Sequence, residues 1–323
     1  MIRELEVSRL SLGCAPVGNL YKGVDPHVAK ATLRAALAAG ITLFDTAPLY
    51  GVGLSETRVG EVLSTVPRES FRIATKVGRL LVADESGVPK ETSIFEDTPD
   101  VHPVFDFSAD GVHRSLEASL KRLGLDRVDI VHMHDPDHHL DQAINEAYPA
   151  LRRWRDEGVV GAIGAGMNFA EPLTRIVREA DVDCVLLAGQ YTLLDQNGLR
   201  ELLPLCAETN TAVIAAAVFN TGVLADPSDN ATFFYAPASA KILDRARAMK
   251  AVCERHGVAL AAAAIQFALG HPAVETVLVG MRSPEEVSVN VTAFNTPIPP
   301  DVWTELKSER LLPDDVPTPS EES

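Results

Sequence analysis

The stretch "DPHVAKATLRAALAAGITLFDTAPLYG", residues 25–51, contains one unit of the pattern that decides the fold. A helix is predicted from Asp25 as N-cap and Pro26 in the first turn to Gly40, where it stops. The apolar run "ITLF" follows at once and ends in a carboxylate, Asp45. A helical segment joined directly to a short apolar strand is the repeating unit of parallel β/α folds.

The same unit recurs along the 323-residue chain, where eight short apolar runs alternate with helical patterns. Because these runs are apolar on both faces, they predict parallel strands that are covered by helices. Eight units in a chain of this length predict a (β/α)8 TIM barrel as a single domain, and an open doubly wound sheet is the alternative. The runs lie at 9–13, 41–45, 71–76, 128–134, 159–166, 184–190, 211–218 and 275–280. We expect the barrel domain to cover 1–312 and the acidic segment 313–323 to be a flexible tail.

Two connections are too long to be simple turns. One follows the third run, from about 78 to 108, and the other follows the seventh, from about 219 to 238. Both leave the carboxyl ends of strands, where barrels of this type hold their active sites. Their aromatic residues predict loops that cover a substrate, although simple surface elaboration is the alternative; these residues are Phe95, Phe105, Phe107, Phe233, Phe234 and Tyr235.

The composition is that of a globular protein with a strong negative charge. Apolar residues make up 46% of the chain, charged residues 23%, and the formal net charge is −16. Nucleic acids and anionic membranes bind basic surfaces, so neither is expected as the main partner. The first ten residues have no apolar core typical of a signal peptide, which favours a cytoplasmic protein. Reduced, buried thiols are predicted for the four dispersed cysteines, Cys14, Cys184, Cys206 and Cys253.

Four polar residues lie at the ends of three consecutive predicted strands. Asp45 ends the second strand with Tyr50 just beyond it, Lys76 ends the third, and His134 ends the fourth. Because the strand ends of a barrel meet at one mouth, we expect these side chains to converge there. A buried carboxylate needs a partner, and Lys76 is the natural partner for Asp45. We expect this ammonium to lower the pKa of the Tyr50 phenol, so that the phenol can exchange a proton, while His134 hydrogen-bonds the substrate oxygen.

The histidine-rich segment "HMHDPDHH", residues 132–139, raises the alternative of a metal site. His132 and His134 face the same side of a strand, as in metal-dependent hydrolases, but such sites need further ligands from other strands. The fifth, sixth and eighth strands end in "GAGMN", "AGQY" and "VGMR", which supply no such ligand, so no metal is expected. We expect His138 and His139 to be solvated loop residues, and the alternative is that they line the pocket.

Three motifs, "FDTAPLYG" (44–51), "ATKVG" (74–78) and "LDRVDIVHMHDPD" (125–137), resemble the aldo-keto reductase family in their order and spacing, and the similarity covers nearly the whole chain. The resemblance implies an NAD(P)-dependent oxidoreductase on a (β/α)8 barrel. Its members transfer a hydride between nicotinamide and a carbonyl or alcohol carbon. It also implies a catalytic tetrad at the four strand-end residues, Asp45, Tyr50, Lys76 and His134.

The segments "HDPD" (134–137) and "VFNTGVLA" (218–225) most resemble the sugar-oxidising branch of that family. This branch includes L-fucose, D-threo-aldose and L-galactose 1-dehydrogenases, with pyridoxal 4-dehydrogenase nearby. The resemblance therefore implies oxidation of an aldose such as L-fucose at C1 to the lactone. The alternatives are a general aldehyde or ketone reductase that uses NADPH, a pyridoxal dehydrogenase, and a non-catalytic nucleotide-binding scaffold, against which the intact tetrad argues.

The resemblance also implies where the nicotinamide end of the cofactor binds. Asn168 and Gln190 match positions that hold the nicotinamide carboxamide. Many members have an aromatic residue after the seventh strand that stacks on the nicotinamide, and here that position aligns with Ala216. Either Phe219, three residues later, stacks on the ring or no aromatic residue does.

The adenosine end is implied to bind at "GMRSPEEVSVN", residues 280–290, where a helix begins. Glu286 lies where NADP-preferring members often have an arginine, and a carboxylate there repels a 2′-phosphate but accepts from a ribose hydroxyl. This favours NAD, whereas Arg282 favours NADP. The implied cofactor contacts in this segment are Gly280, Arg282, Glu286 and Asn290.

Overall fold

The computed structural model describes residues 1–83 and 94–319. Eight strands form its central sheet: β1 (Leu10–Gly13), β2 (Leu43–Asp45), β3 (Arg72–Val77), β4 (Ile130–His134), β5 (Ala162–Met167), β6 (Cys184–Ala188), β7 (Ala212–Ala216) and β8 (Val274–Gly280). They close into a barrel in which β1 pairs with both β2 and β8, and every pairing is parallel. The predicted (β/α)8 barrel is therefore confirmed.

Helices connect the strands and cover the barrel. Their bounds are α1 (Pro26–Ala38), α2 (Leu54–Leu63), α3 (Ala109–Leu123), α4 (Tyr148–Asp156), α5 (Ala170–Glu179), α6 (Leu202–Thr209), α7 (Ala240–Arg255), α8 (Leu260–Phe267), α9 (Pro284–Asn295) and α10 (Pro300–Ser308). The predicted N-cap of α1 is confirmed, because the Asp25 carboxylate accepts from the backbone N–H groups of His27 and Val28. None of the helices in the described ranges combines the length and apolar character that a membrane span requires.

The helical pattern of residues 139–158 contains Pro149, which the sequence marks as a possible kink, and the helix is irregular just before it. A short helix, Leu140–Gln142, and a π-helical turn, Ala143–Ala147, precede α4. Proline has no N–H to donate to the preceding turn, so the backbone there widens instead of continuing as a regular α-helix.

The interior of the barrel is filled by apolar side chains from the amino ends of the strands. Leu43, Ile130 and Ala162 are fully buried there. Ile2 packs among them with no exposed surface, and its backbone bonds Leu5 in a tight turn. The amino end of the barrel is thus closed by the start of the chain, which leaves the carboxyl end as the place for a ligand.

Both long loops carry a small antiparallel hairpin. After β3, Arg79–Ala83 pairs with Val101–Phe105, and residues 84–93 of this loop lie outside the described residues. After β7, Thr232–Phe233 pairs with Ala236–Pro237. The turn of this second hairpin consists of Phe234 and Tyr235, with φ of 52° and 65°, the left-handed geometry that two-residue hairpin turns require.

Residues 313–319, the described part of the acidic segment, were expected from their composition to belong to a flexible tail. Val316 is only 2% exposed, and a Cβ on Gly270 would lie 2.5 Å from the carbonyl carbon of Thr318, so this segment runs close against the barrel. The prediction weighed the acidic and proline residues and overlooked the one apolar side chain that anchors them. We propose that the domain extends at least through Val316.

Candidate active site

An ammonium group lies at the centre of the barrel mouth and contacts both a carboxylate and a phenol. The Nζ atom of Lys76 is 2.5 Å from Oδ1 of Asp45, 3.1 Å from the hydroxyl of Tyr50 and 3.0 Å from the carbonyl oxygen of Thr46. Asp45 pairs with Ala74 in the sheet, so Lys76, two residues further along β3, faces the same interior. The side chains of Asp45, Tyr50 and Lys76 therefore converge at the barrel mouth as predicted.

The pKa of the Tyr50 phenol is raised, not lowered as the sequence predicted. Burial raises it, the positive charge of Lys76 opposes this effect, and the negative charge of Asp45 adds to it. Because Asp45 largely cancels the charge of Lys76, the phenol lies beside a nearly neutral pair in a site with little water. Tyr50 therefore keeps its proton in the free enzyme.

The ammonium of Lys76 stays charged although its side chain is only 1% exposed. Burial lowers its pKa, but the charge of Asp45 and the hydrogen bonds to Asp45 and Tyr50 raise it by more, so that the net pKa lies above its usual value. A charged donor therefore remains 3.1 Å from the phenol oxygen and is ready to stabilise a phenolate.

His134 lies beside the phenol as a neutral imidazole. Its ring meets the Tyr50 ring edge-on with 5.8 Å between centroids, and only 5% of the residue is exposed. Burial and the positive charges of Lys76 and Arg79 hold the pKa of His134 well below its usual value. A neutral ring has one N–H, which suits a donor to a substrate oxygen.

An ion pair that the sequence analysis missed flanks this histidine. The Arg79 guanidinium donates to Asp135 at 2.7 Å and lies 4.4 Å from the ring centroid of Phe105. The other contact of the carboxylate is with Nε2 of His134, at 3.5 Å. The segment "HDPD" does show a carboxylate, Asp135, directly after His134. Its partner Arg79 is 56 residues away in the sequence, so the pair could not be recognised from a local pattern.

A cavity of ≈ 590 Å³ runs from Tyr50 to the first turn of α9. Its volume is within the range of cofactor sites. Five of the residues predicted to bind the cofactor line it: Phe219, Gly280, Arg282, Glu286 and Asn290. Small residues leave the room for a ligand along its floor: Gly13, Ala188, Ala216 and Ala217. The residues present therefore fit an elongated dinucleotide whose reactive end lies near the phenol.

Asn168 and Gln190 line a different, wider cavity of ≈ 830 Å³, which also contains Arg79 and Asp135. The amide oxygen of Asn168 accepts from the hydroxyl of Tyr235 at 3.3 Å, and that of Gln190 accepts from the backbone N–H of Ala170 at 2.9 Å. The structure thus separates these two predicted carboxamide ligands from the cavity that contains Tyr50. The hairpin tip after β7 lies between the two spaces, a position that the sequence did not reveal.

At the adenosine end, Arg282 and Glu286 bind each other. The Nε atom of Arg282 is 3.2 Å from Oε1 of Glu286, and Oε2 of the same carboxylate accepts from the backbone N–H of Arg282 at 2.8 Å. Ser283 caps α9 by accepting from the backbone N–H of Glu286 at 3.2 Å. Among the described residues that line this cavity, Arg282 carries the only positive charge, and that charge is already compensated.

The histidine-rich segment does not assemble a metal centre within the part of the chain that the structure describes, because those residues contain no group of three or more metal-binding side chains. His138 and His139 both line the wider cavity, and the His139 ring lies 4.9 Å from that of Phe105. His138 is exposed, as expected of a solvated loop residue, whereas His139 packs against the hairpin after β3; both lie where the alternative of a pocket lining placed them.

A closed β/α barrel with a phenol and an ammonium at the mouth of a dinucleotide-sized cavity has the features of a nicotinamide-dependent oxidoreductase. Residues 9–310 match the aldo/keto reductase family, and the chain belongs to this family of oxidoreductases. As predicted from the sequence motifs, its relatives include sugar dehydrogenases. Aldo-keto reductases use NAD(H) or NADP(H) as cofactors.

Two curated relatives are similar to this chain over nearly their whole length. D-threo-aldose 1-dehydrogenase from a Pseudomonas species is 43% identical, with 96% of each chain covered. Pyridoxal 4-dehydrogenase from Microbacterium luteolum is 39% identical, with 95% of each covered. Among solved structures, glycerol dehydrogenase from Gluconobacter oxydans has a TM-score of 0.77 at 24% identity, covering 99% of this chain and 96% of that one, which supports the fold.

Proposed function

We propose that this enzyme oxidises an aldose at C1 to the lactone, with a nicotinamide dinucleotide as hydride acceptor. The observation that carries the proposal is the 3.1 Å contact between the Lys76 ammonium and the Tyr50 hydroxyl, at one end of a cavity that fits the cofactor. The similarity to D-threo-aldose 1-dehydrogenase supports a sugar as the substrate.

Each tetrad residue has a chemical role in this proposal. When bound, the oxidised nicotinamide supplies a hydride acceptor and a positive charge. Tyr50, as a phenolate stabilised by Lys76, accepts the proton of the C1 hydroxyl while C1 loses its hydride. Asp45 keeps the ammonium charged and oriented, and neutral His134 donates a hydrogen bond to the reacting oxygen. In the reverse direction Tyr50 donates the proton to a carbonyl oxygen.

The wider cavity is where we place recognition of the other sugar hydroxyls. Asp135 and Arg79 lie at its inner end beside His134 and are only 23% and 16% exposed, respectively, so hydrogen bonds to them are protected from water. A carboxylate and a guanidinium together can bind hydroxyl groups both as donors and as acceptors. We infer that this pair distinguishes a polyhydroxylated substrate from a simple aldehyde.

Asp135→Asn is expected to raise the KM for the best aldose about tenfold, because a charged hydrogen-bond acceptor is replaced by a neutral one. The KM for the cofactor should change by less than twofold. Steady-state kinetics with the aldose and with a small aliphatic aldehyde measure both effects. Asp126→Asn, which changes an exposed carboxylate outside this cavity, is the matched control. An unchanged aldose KM in Asp135→Asn would remove this pair from substrate binding.

We propose NAD as the preferred cofactor. Glu286 holds Arg282 through both a side-chain and a backbone contact, so that no uncompensated cation among the described lining residues is available to a 2′-phosphate. The Glu286 carboxylate itself would repel a phosphate dianion and could accept from a ribose hydroxyl.

Glu286→Arg is therefore expected to shift the ratio of kcat/KM for NADP over NAD by tenfold or more in favour of NADP, since it removes a repulsive charge and frees Arg282. Glu286→Gln should give an intermediate shift, because it removes the charge without adding a cation. Glu285→Gln, one residue earlier in the same turn, controls for a general change in charge at the cavity rim. An unaltered cofactor preference in Glu286→Arg would show that the 2′ position binds elsewhere.

The similarity to pyridoxal 4-dehydrogenase favours a second candidate, oxidation of pyridoxal at its 4-position. A panel of L-fucose, D-threo-aldoses, L-galactose and pyridoxal, each with NAD and with NADP, separates the two when the absorbance of the reduced nicotinamide is followed. We expect the aldoses to give the higher kcat/KM. Turnover of pyridoxal alone would select the second candidate, and reduction of aldehydes alone with NADPH would select a general reductase.

A further inference from the structure

A second histidine faces the catalytic carboxylate from inside the barrel. His132 lies on β4 two residues before His134, and its side chain has no exposed surface. Its Nδ1 atom is 3.9 Å from Oδ2 of Asp45, and its Nε2 atom is 3.4 Å from Sγ of Cys184. Among the described residues, neither Nδ1 of His132 nor Oδ2 of Asp45 has another hydrogen-bond partner. Two buried polar atoms thus face each other, each with its hydrogen-bonding capacity unused.

The chemistry of the two atoms decides where the ring proton lies. Burial and the positive charge of Lys76 lower the pKa of His132 to about 3, so the ring is neutral and has one N–H. With the proton on Nε2, the lone pair of Nδ1 would face a carboxylate oxygen, and both buried acceptors would lack a donor. With the proton on Nδ1, the ring donates to Asp45, and Nε2 accepts from the Cys184 thiol.

The packing around the ring keeps it in this orientation. A Cβ added to Gly164 on the neighbouring strand β5 would lie 3.0 Å from Cδ2 of His132, so this glycine leaves the space that the ring occupies. The titratable groups that face the ring are Asp45 on β2, Lys76 on β3 and Cys184 on β6, with His134 on its own strand. The 3.9 Å separation closes to a hydrogen bond by a shift of less than 1 Å.

We propose that His132 is a positioning residue for Asp45: it donates from Nδ1 to Oδ2, so that Oδ1 stays aimed at the Lys76 ammonium. This inference rests on the proposed function only in that Lys76 acts on Tyr50. The result is a chain of contacts across the barrel interior, from Cys184 through His132, Asp45 and Lys76 to Tyr50. His132 touches neither the phenol nor the ligand cavity, so its effect on the reaction is indirect.

The tautomer is measured directly by nitrogen NMR of the enzyme labelled with ¹⁵N-histidine. We expect one neutral ring with a protonated Nδ1 and an unprotonated Nε2, and no titration between pH 6 and pH 9. His132→Asn identifies its signals by their loss, and His134→Asn excludes the neighbouring ring. A protonated Nε2 in His132 would overturn the inference, whatever the enzyme is found to oxidise.

The kinetic test uses substitutions that keep or remove the donor. His132→Leu is expected to lower kcat about tenfold with little change in substrate KM, as expected when one hydrogen bond to a charged group is lost. The apparent pKa that controls oxidation should rise, because the charge of Asp45, which already raises the pKa of Tyr50, is then less compensated. His132→Asn, whose amide nitrogen lies near the former Nδ1, should recover most of both changes.

Ile130→Ala provides the matched control, since Ile130 is fully buried in the same interior two residues earlier on β4. It should weaken stability without moving the pH profile. A profile of His132→Leu that matches that of the wild type, or a shift of equal size in Ile130→Ala, would overturn the positioning role. Retention of activity by Tyr50→Phe would instead contradict the proposed function and leave the NMR result standing.

Discussion

Tyr50→Phe is expected to lower kcat for aldose oxidation by about 10²–10⁴-fold, the usual contribution of general acid–base catalysis. The substitution removes only the hydroxyl that lies 3.1 Å from Lys76. The remaining ring keeps its neighbours, Phe95 at 6.2 Å between centroids and the Lys76 ammonium at 4.5 Å from the ring centroid. Cofactor binding should therefore change little, and the loss should appear almost entirely in kcat.

The measurement is steady-state kinetics together with a fluorescence titration of the cofactor. Tyr21→Phe is the matched control, because Tyr21 lines the same cavity with an exposed side chain and removal of its hydroxyl should leave kcat within about twofold. If Tyr50→Phe retained more than a tenth of the wild-type rate, Tyr50 would not be the proton donor and acceptor.

Lys76→Met is expected to damage both stability and catalysis. It leaves the carboxylate of Asp45 buried without its counter-ion, which costs about 3–5 kcal/mol of unfolding free energy in comparable pairs. Loss of the ammonium also removes the donor that stabilises a phenolate at Tyr50, so kcat should fall at least about 10²-fold. Urea unfolding and steady-state kinetics on the same preparation measure the two effects separately.

The double variant Asp45→Asn/Lys76→Met separates structure from chemistry. Without either charge, the interior no longer contains an unpaired ion, so most of the lost stability should return while kcat stays low. Arg175→Met, which breaks an exposed ion pair with Glu179, is the control and should change stability by no more than about 1 kcal/mol. Recovery of kcat in the double variant would show that the pair serves stability and not catalysis.

The barrel and the three-residue contact at its mouth were predictable because both depend on local signals. Each strand begins and ends within three residues of its predicted run, since an apolar run between turn residues is a local property. The helix α2 was missed, because its apolar residues are few and interrupted by charges. Its burial depends on Gly60, where a Cβ would lie 2.2 Å from the carbonyl oxygen of Leu123, a contact between distant segments.

The electrostatics and the cavities could not be predicted from local signals. The direction of the Tyr50 pKa shift depends first on the burial of the phenol and then on the opposed charges of Lys76 and Asp45. The separation of Asn168 from the cavity of Tyr50 depends on where the hairpin tip after β7 folds. Both are outcomes of tertiary packing between segments that are far apart in the chain.

The two neutral imidazoles inside the barrel limit how well the fold withstands acid. Above the usual histidine pKa near 6.5 they are uncharged in both the folded and the unfolded chain, so they carry no penalty. Below it, the two histidines bind protons in the unfolded chain but stay neutral in the folded interior. The free energy of unfolding therefore falls by about 1.4 kcal/mol per pH unit for each ring. For His132 this loss continues down to its folded pKa of about 3. The interior that positions the catalytic groups therefore keeps its full stability only in a neutral or alkaline medium.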